Sequence, residues 1–316
     1  MITTFGGGVG AGKFLDGLHT SLKNNSLNLN IVVNTADDID IFGVRVSPDI
    51  DSILYRLSGI SDKKRGWGIK GDTYKFLNSQ PKENRWFNLG DKDLERNLIK
   101  QALIDKGFSL QKVVEKQSKK LGIKKTKIIP MTNDIVETYI VSNGKKMHFQ
   151  EFLIKYKMRP KVDKILFKNI KQSKPSVGLI EQIRNSKMLI FCPSNPIISI
   201  NPILTVPGIK NAIVASNAIK IAISHIVNDK AFQGPVLTLM QVKKLKPTVV
   251  GVAEFYKGIV NYLMIDEFDQ KYIGKISETG IKPIVRNIKM RNKTISKAMS
   301  KSILDLIEWK KLKLFH

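Results

Sequence analysis

The chain has 316 residues, 42% of them apolar, a net charge of +26 and a single cysteine, Cys192. Such a length and apolar share can build one large α/β domain or two small ones around a sizeable core, while one cysteine excludes an internal disulfide and argues against thiol redox chemistry. The first 30 residues lack the basic, apolar and small-residue regions of a secretory leader, and no uncharged apolar run is long enough to span a bilayer, so a soluble cytoplasmic protein is expected.

Ile2-Thr3-Thr4-Phe5 predicts a strand that runs into a glycine-rich turn. Phe14, Leu15, Leu18 and Leu22 then recur at helical spacing over about 10–24, and Asn30-Ile31-Val32-Val33 begins a strand at 30–34. This opening predicts an α/β fold of Rossmann-like, doubly wound type with a mainly parallel sheet. From 49 to about 121 the periodicity is helical, carried by Ile53, Leu54, Leu57 and Ile60, then Leu94, Leu98, Ile99 and Leu103, then Leu110, Val113, Val114 and Leu121. Residues 126–130 and 135–154 turn to β character, and Ser142-Asn143-Gly144 between two such runs is the signal of a type I′ hairpin. Helix 176–186, strand 187–192, a helix near 208–214, strand 219–224, helix 234–243, strands 261–265 and 282–287 and an amphipathic helix at about 293–307 follow. The expectation is one domain over 1–316, with the sheet core from about 1–48 and 187–316. A helical insertion and a β-hairpin embellishment form a cap from about 49–186.

Three segments fall where strands of such a sheet end, which is where open α/β sheets bind ligands. Gly6-Gly7-Gly8-Val9-Gly10-Ala11-Gly12-Lys13 joins a strand to a helix, so its glycines let backbone approach a phosphate at a helix N-terminus. Gly7, Gly12 and Lys13 meet the P-loop spacing, but Phe14 stands where a metal-binding hydroxyl is needed. Gly6, Gly8 and Ala11 meet the dinucleotide spacing, but Asn34 stands where an acid would take a ribose. The second segment is Asn34-Thr35-Ala36-Asp37-Asp38 with Ser47-Pro48-Asp49-Ile50-Asp51. Clustered acids in so basic a chain predict a cation site facing a phosphorylated ligand, and Mg²⁺ suits one or two carboxylates shared with phosphate oxygens. The plainer expectation is a capped turn, with Ser47 or Asp49 as N-cap and Pro48 starting a helix over 49–60. The third segment, Cys192-Pro193-Ser194-Asn195-Pro196, offers hydroxyl, amide and backbone donors to a phosphate or purine edge, or equally an Asx-turn.

Other residues carry weaker signals. His148 in Met147-His148-Phe149-Gln150-Glu151-Phe152 reads as a strand histidine with Gln150 and Phe152 on its face, structural rather than catalytic. Asn88-Leu89-Gly90-Asp91-Lys92-Asp93 reads as a turn leading to an N-capped helix, and Trp67 between Gly66 and Gly68 could cover a planar ligand or simply pack. The positive charge invites nucleic-acid binding, yet the lysines are spread along the chain without one basic helix, so attraction of anionic substrates is the better reading. An NAD-type oxidoreductase is the alternative that the glycine loop supports.

Taken together, these segments resemble one family, the 2-phospho-L-lactate transferases of deazaflavin coenzyme F-420 biosynthesis (CofD/FbiA type). The likeness runs through Phe5-Gly6-Gly7-Gly8-Val9-Gly10, Asn34-Thr35-Ala36-Asp37-Asp38, Ser47-Pro48-Asp49-Ile50-Asp51-Ser52-Ile53-Leu54-Tyr55 and Arg65-Gly66-Trp67-Gly68. It continues through Leu89-Gly90-Asp91-Lys92-Asp93, Pro130-Met131, His148-Phe149-Gln150-Glu151, Pro193-Ser194-Asn195-Pro196, Ser199-Ile200-Asn201-Pro202-Ile203-Leu204 and Gly251-Val252-Ala253. The resemblance implies transfer of a 2-phospholactyl or phosphoenolpyruvyl group from a lactyl- or enolpyruvyl-2-diphospho-5′-guanosine donor to the ribityl hydroxyl of 7,8-didemethyl-8-hydroxy-5-deazariboflavin, releasing GMP. It implies Mg²⁺ as cofactor, held by Asp37, Asp49 and Asp51, and catalytic roles for Asp51 and Asp37. Asp51 and Asn88 would contact the deazaflavin. Gly7, Gly8, Gly10, Lys13, Asn34, Ser194 and Asn195 would hold the guanosine diphosphate donor. A homodimer is implied, with no nucleic-acid or membrane partner. The sequence departs from the family pattern at Gly12-Lys13, at the neutral Asn88 and at Ser224-His225-Ile226-Val227-Asn228-Asp229-Lys230.

Overall fold

A computed structural model of the protein describes residues 1–23, 25–232 and 234–313, with side chains described to residue 307. Seven parallel strands form the central sheet: β1 (Ile2–Gly6), β2 (Leu29–Val33), β3 (Thr126–Pro130), β4 (Met188–Phe191), β5 (Ile219–Ile223), β6 (Tyr262–Ile265) and β7 (Lys282–Val285). Their order is β7-β6-β5-β4-β1-β2-β3. The inner strands are apolar on both faces because helices cover both, as parallel sheets require. Successive residues serve opposite cores. Val32, Leu189 and Phe191 enter one, where the rings of Phe5 and Phe191 stack 5.0 Å apart, while Ile31, Val33, Met188 and Ile190 enter the other.

The strand order reverses between β1 and β4. The connections leaving these neighbours diverge there, which is where open α/β sheets place a ligand crevice at the strands' C-terminal ends. Helix α1 (Gly8–Leu22) leaves β1, and helix α2 (Pro48–Leu57) follows β2 after a short hairpin of Ile39–Ile41 with Val44–Val46. Helices α3 (Asp91–Asp105) and α4 (Leu110–Lys120) complete the path to β3.

The doubly wound sheet agrees with the expectation, but its boundaries need correction. Thr126–Pro130, placed by the sequence in the cap, pairs with Leu29–Val33 as the edge strand of the central sheet. The helical insertion over 48–120 is therefore the long crossover between β2 and β3. The type I′ hairpin forms, with Asn143 and Gly144 at φ 48° and 73°, between Glu137–Ser142 and Lys145–His148; a third strand, Lys164–Lys168, pairs beside it. Strand character ends at His148. Glu151–Lys155 is a wide helical turn rather than the alternating strand that His148-Phe149-Gln150-Glu151-Phe152 suggests.

The rotation of α3 also differs from its pattern. Leu98 and Ile99 are 51% and 40% exposed, whereas the face turned inward carries Leu94, Asn97 and Lys100. Beside Leu94, which joins a small apolar cluster, this face buries polar Asn97 and Lys100, so the helix also turns polar groups toward the acidic turn.

Candidate active site

The glycine loop and the Pro193-Ser194-Asn195 loop meet in the crevice. The Ser194 hydroxyl accepts from the Gly7 N–H at 3.2 Å and donates to the Gly7 carbonyl at 3.0 Å, clasping the ends of β1 and β4 together. A Cβ on Gly10 would stand 2.3 Å from the Pro193 carbonyl oxygen, so only glycine permits this approach. Gly8, Val9, Gly10 and Lys13 stay half-buried, so the first turn of α1 faces the crevice. Asn195 spends its Oδ1 on the N–H groups of Ile197 and Ile198 at 2.9 and 3.4 Å, the Asx-turn its residue type favours, which leaves its Nδ2 for a ligand.

The acidic turn closes the other side. Asp37, Asp38, Asp49 and Asp51 are all buried, at 5–8% exposure. Ser47 occupies the N-cap position of α2 with Pro48 next to it, but its hydroxyl donates to Asp38 Oδ2 at 2.8 Å instead of capping the helix. Arg45 Nε donates to the same Asp38 oxygen at 2.9 Å. Asp51 Oδ2 accepts from the Ser47 N–H at 3.3 Å and lies 3.5 Å from the ammonium of Lys100, a fully buried lysine. Asp38 and Asp51 thus each face a cation.

Among the described residues, Asp37 and Asp49 face none. The Asp49 carboxylate lies against Gly7, where a Cβ would come within 1.9 Å of Oδ2, and it accepts from Asn34 Nδ2 at 3.0 Å. Asp37 Oδ1 is buried without a hydrogen-bond partner. Burial, and for Asp37 the charge of Asp49, raise both carboxyls: Asp49 to about 7 and Asp37 well above the carboxylate range. Two buried, mutually repelling acids, Asp49 beside the glycine loop and Asp37 within reach of its charge, are residues that could share a cation. Among the described residues no group of three or more His, Cys, Asp or Glu side chains forms a protein-only metal cage. Asp37, Asp49 and Asp51, the three carboxylates that the resemblance assigns to Mg²⁺, therefore do not come together as one such group.

Beyond Asp51 lies a second polar group that the sequence reading missed. Tyr55 donates to Asp93 Oδ1 at 2.7 Å, Asn97 Nδ2 donates to the same oxygen at 3.0 Å, and burial together with the Asp51 charge pushes Asp93 up to about 7. The signal was available as polar Asp93, Asn97 and Lys100 at helical spacing on one face. Asn88 lies just before this helix and is exposed. Cys192 is buried with its thiol pushed above the ordinary range by desolvation, unsuited to nucleophilic work. His148 is buried and its pKa is lowered by desolvation. Its Nδ1 accepts from the Gln150 N–H at 3.1 Å, while Gln150 Nε2 donates to the Asp37 carbonyl at 3.2 Å, so this segment braces the acidic turn. Trp67, with the Arg65 guanidinium 5.1 Å from its ring centre, lines a small cavity with Val9, Gly12, Tyr55 and Arg56. A larger cavity of about 390 Å³, between His19, Leu57 and Leu121, contains none of these site residues.

A Rossmann-like sheet with a glycine loop and a paired-carboxylate turn at its switch point defines an α/β protein built to handle a phosphorylated ligand. The chain belongs to the CofD 2-phospho-L-lactate transferase family, whose model matches residues 2–304. It is 36% identical over 284 residues to a 2-phospho-L-lactate transferase of Methanocaldococcus jannaschii, covering 87% of this chain and 89% of that one. It is 30% identical over 317 residues to a phosphoenolpyruvate transferase of Streptomyces coelicolor, covering 97% and 98%. A protein of the UPF0052 family from Bacillus halodurans shares the fold at a TM-score of 0.64 and 20% identity, over 96% of this chain and 98% of that one. The oxidoreductase alternative finds no support. Asn34 turns inward, with Nδ2 on Asp49 and Oδ1 accepting from the Ala36 N–H at 3.0 Å, and supplies no acid for a ribose.

Proposed function

We propose that the protein transfers a phosphoryl-linked three-carbon acid, 2-phospholactyl or phosphoenolpyruvyl, from a guanosine diphosphate-linked donor to the ribityl hydroxyl of 7,8-didemethyl-8-hydroxy-5-deazariboflavin, with release of GMP. The observation that carries the reading is the pair Asp37 and Asp49, buried without a cation among the described residues, with Asp49 set against the glycine loop, in a chain of this family.

In the reaction the acceptor oxygen bonds to the phosphorus bearing the three-carbon acid, and the bond from that phosphorus to the GMP oxygen breaks. Little covalent chemistry falls to the protein, so alignment and charge neutralisation supply most of the rate. The N–H groups of the glycine loop and Asn195 Nδ2 receive the donor's diphosphate, with Lys13 one turn further along the same helix. Ser194 acts by holding the two loops together, since its hydroxyl is already engaged on both sides with Gly7. Asp51 orients the acceptor hydroxyl and takes its proton, and Asn88 lies at the outer edge for the deazaflavin ring. Mg²⁺, held by Asp37 and Asp49, would neutralise the diphosphate. Asp51 is set apart from that pair by Lys100.

The test is mass spectrometry of the deazaflavin after incubation with Mg²⁺ and each donor separately, with Asp51→Asn in parallel. Addition of phospholactate or phosphoenolpyruvate with stoichiometric GMP is expected, and Asp51→Asn is expected to be nearly silent. A folded protein that turns over neither donor would overturn the reading. We also propose a homodimer, for which exposed Leu98 and Ile99 on α3 supply apolar surface. Sedimentation should give twice the 35.6 kDa chain mass, and Leu98→Glu should lower it.

A further inference from the structure

Of the lysines whose side chains are described, Lys100 is the one that is fully buried. It occupies the inward face of a helix whose apolar Leu98 and Ile99 point to solvent. An ammonium removed from water is retained only where opposite charge compensates it, and the buried Asp51 and Asp38 lie within its reach. The ammonium lies closest to Asp51, 3.5 Å from Oδ2, and its field also reaches Asp38 and Asp93. Arg45 pairs with Asp38 on the far side of the turn.

We propose that Lys100 is a positioning residue for the transfer reaction. It pins Oδ2 of Asp51 toward the protein, together with the Ser47 N–H, so that Oδ1 is the oxygen presented to the acceptor hydroxyl. With Arg45 it divides the acidic turn in two: Asp38 and Asp51 are matched by protein cations, and Asp37 and Asp49 are left for the substrate side. The inference rests on the proposed transferase reading and adds to it a residue that touches neither substrate. It also explains why α3 buries its polar face, since only that rotation brings Lys100 under the Ser47–Asp51 turn.

The test compares Lys100→Met, Lys100→Arg and Lys100→Gln with Asp51→Asn and the double variant K100M/D51N, reading kcat, the KM of each substrate and equilibrium binding of the deazaflavin. Lys100→Met is expected to raise the acceptor KM and dissociation constant at least tenfold and to leave the donor KM within twofold. Lys100→Arg should recover part of the loss. Because Lys100 acts through Asp51, K100M/D51N should bind the acceptor no worse than D51N alone, within twofold. A folded Lys100→Met variant with unchanged acceptor binding, or a double variant whose losses multiply, would overturn the proposal. Should Lys100→Met not fold, Lys100→Gln and the charge-balanced double variant carry the same comparisons. Wild-type protein without turnover or acceptor binding would instead refute the transferase reading itself.

Discussion

Gly10 and Gly12 sit two positions apart in the same helical turn, yet their surroundings assign them opposite tolerances. A Cβ at Gly10 would meet the Pro193 carbonyl at 2.3 Å, a backbone atom that cannot move without opening the clasp between β1 and β4; at Gly12 the nearest atom is 3.7 Å away. Gly10→Ala is therefore expected to destabilise by about 1–3 kcal/mol through overpacking and to abolish donor binding. Gly12→Ala is expected to be neutral or to stabilise by about 0.4–1 kcal/mol, since it removes helix-interior glycine at no steric cost. Denaturant midpoints of the two variants check the contrast, and equal destabilisation would contradict it. Asp49 gives a second prediction. Its folded carboxyl is raised from the ordinary 3.8 to about 7, so the folded state holds the proton that the unfolded chain has lost. The stabilising contribution is complete below about pH 4 and disappears as pH rises through 7. Metal-free protein should accordingly melt lower at pH 8 than at pH 5.5, and Asp49→Asn should flatten that slope. Mg²⁺ should raise the wild-type melting temperature more at pH 8 than at pH 5.5. An Asp49→Asn slope equal to wild type would show that this carboxyl is not protonated in the fold. The acids were legible in the sequence as a cluster, but their division into matched and unmatched pairs was not, because Arg45 and Lys100 reach them only through tertiary contact.

The acidic turn is supported by two elements outside the sheet. Helix α3 begins at Asp91 with Gly90 as its N-cap, and glycine has no side chain to cap with. Asp72 supplies the missing acceptor from a distance, taking the Lys92 and Asp93 N–H groups at 2.8 and 3.2 Å. Asp91 reciprocates by accepting from the Lys75 and Phe76 N–H groups at the start of Lys75–Ser79. Asp72→Ala should cost about 1 kcal/mol, the ordinary worth of a cap, and should lower activity as well, because the fraying turn carries Asp93. A stability loss without any activity change would separate the cap from the site. On the opposite side, Gln150 holds the Asp37 carbonyl. Gln150→Leu leaves that buried acceptor unpaired at a cost of about 1–3 kcal/mol, and turnover should fall, whereas a variant that retains full turnover would show that the brace is dispensable. The Asn143-Gly144 turn was readable because its positive φ values are a local demand. Gln150 was not, because His148 to Phe152 alternates like a strand while the tertiary contact to Asp37 favours a helical turn. Thr126–Pro130 was readable as a strand but not as a member of the central sheet, since pairing with a strand almost a hundred residues earlier leaves no local mark.

The doubly wound order brings the glycine loop and the Pro193-Ser194-Asn195 loop together at one edge of the sheet although they are separated by more than 180 residues, and the periodicity alone could suggest that edge without naming its neighbours. Charge adds a property that no single element has. The molecule carries +26, yet its crevice is lined by buried aspartates, so an approaching diphosphate is drawn by the distant field and opposed by the near one. The two effects differ in their response to salt. Exposed lysines lose their reach as the Debye length contracts from roughly 14 Å at 0.05 M to roughly 4 Å at 0.5 M, whereas the buried carboxylates are screened little. Raising ionic strength over that interval at saturating Mg²⁺ should therefore lower kcat/KM for the donor several-fold. It should leave kcat unchanged, because the chemical step depends on groups that salt does not reach. The uncharged ribityl end of the acceptor should respond weakly, so its KM is the internal control. If donor and acceptor weakened in parallel, the basic surface would have no part in gathering substrate. The excess of lysine would then serve only solubility. A salt-sensitive donor beside a salt-insensitive acceptor would make the composition itself a functional feature, one that collects an anionic donor over the whole surface and delivers it to a site whose own charge accepts it only with a cation.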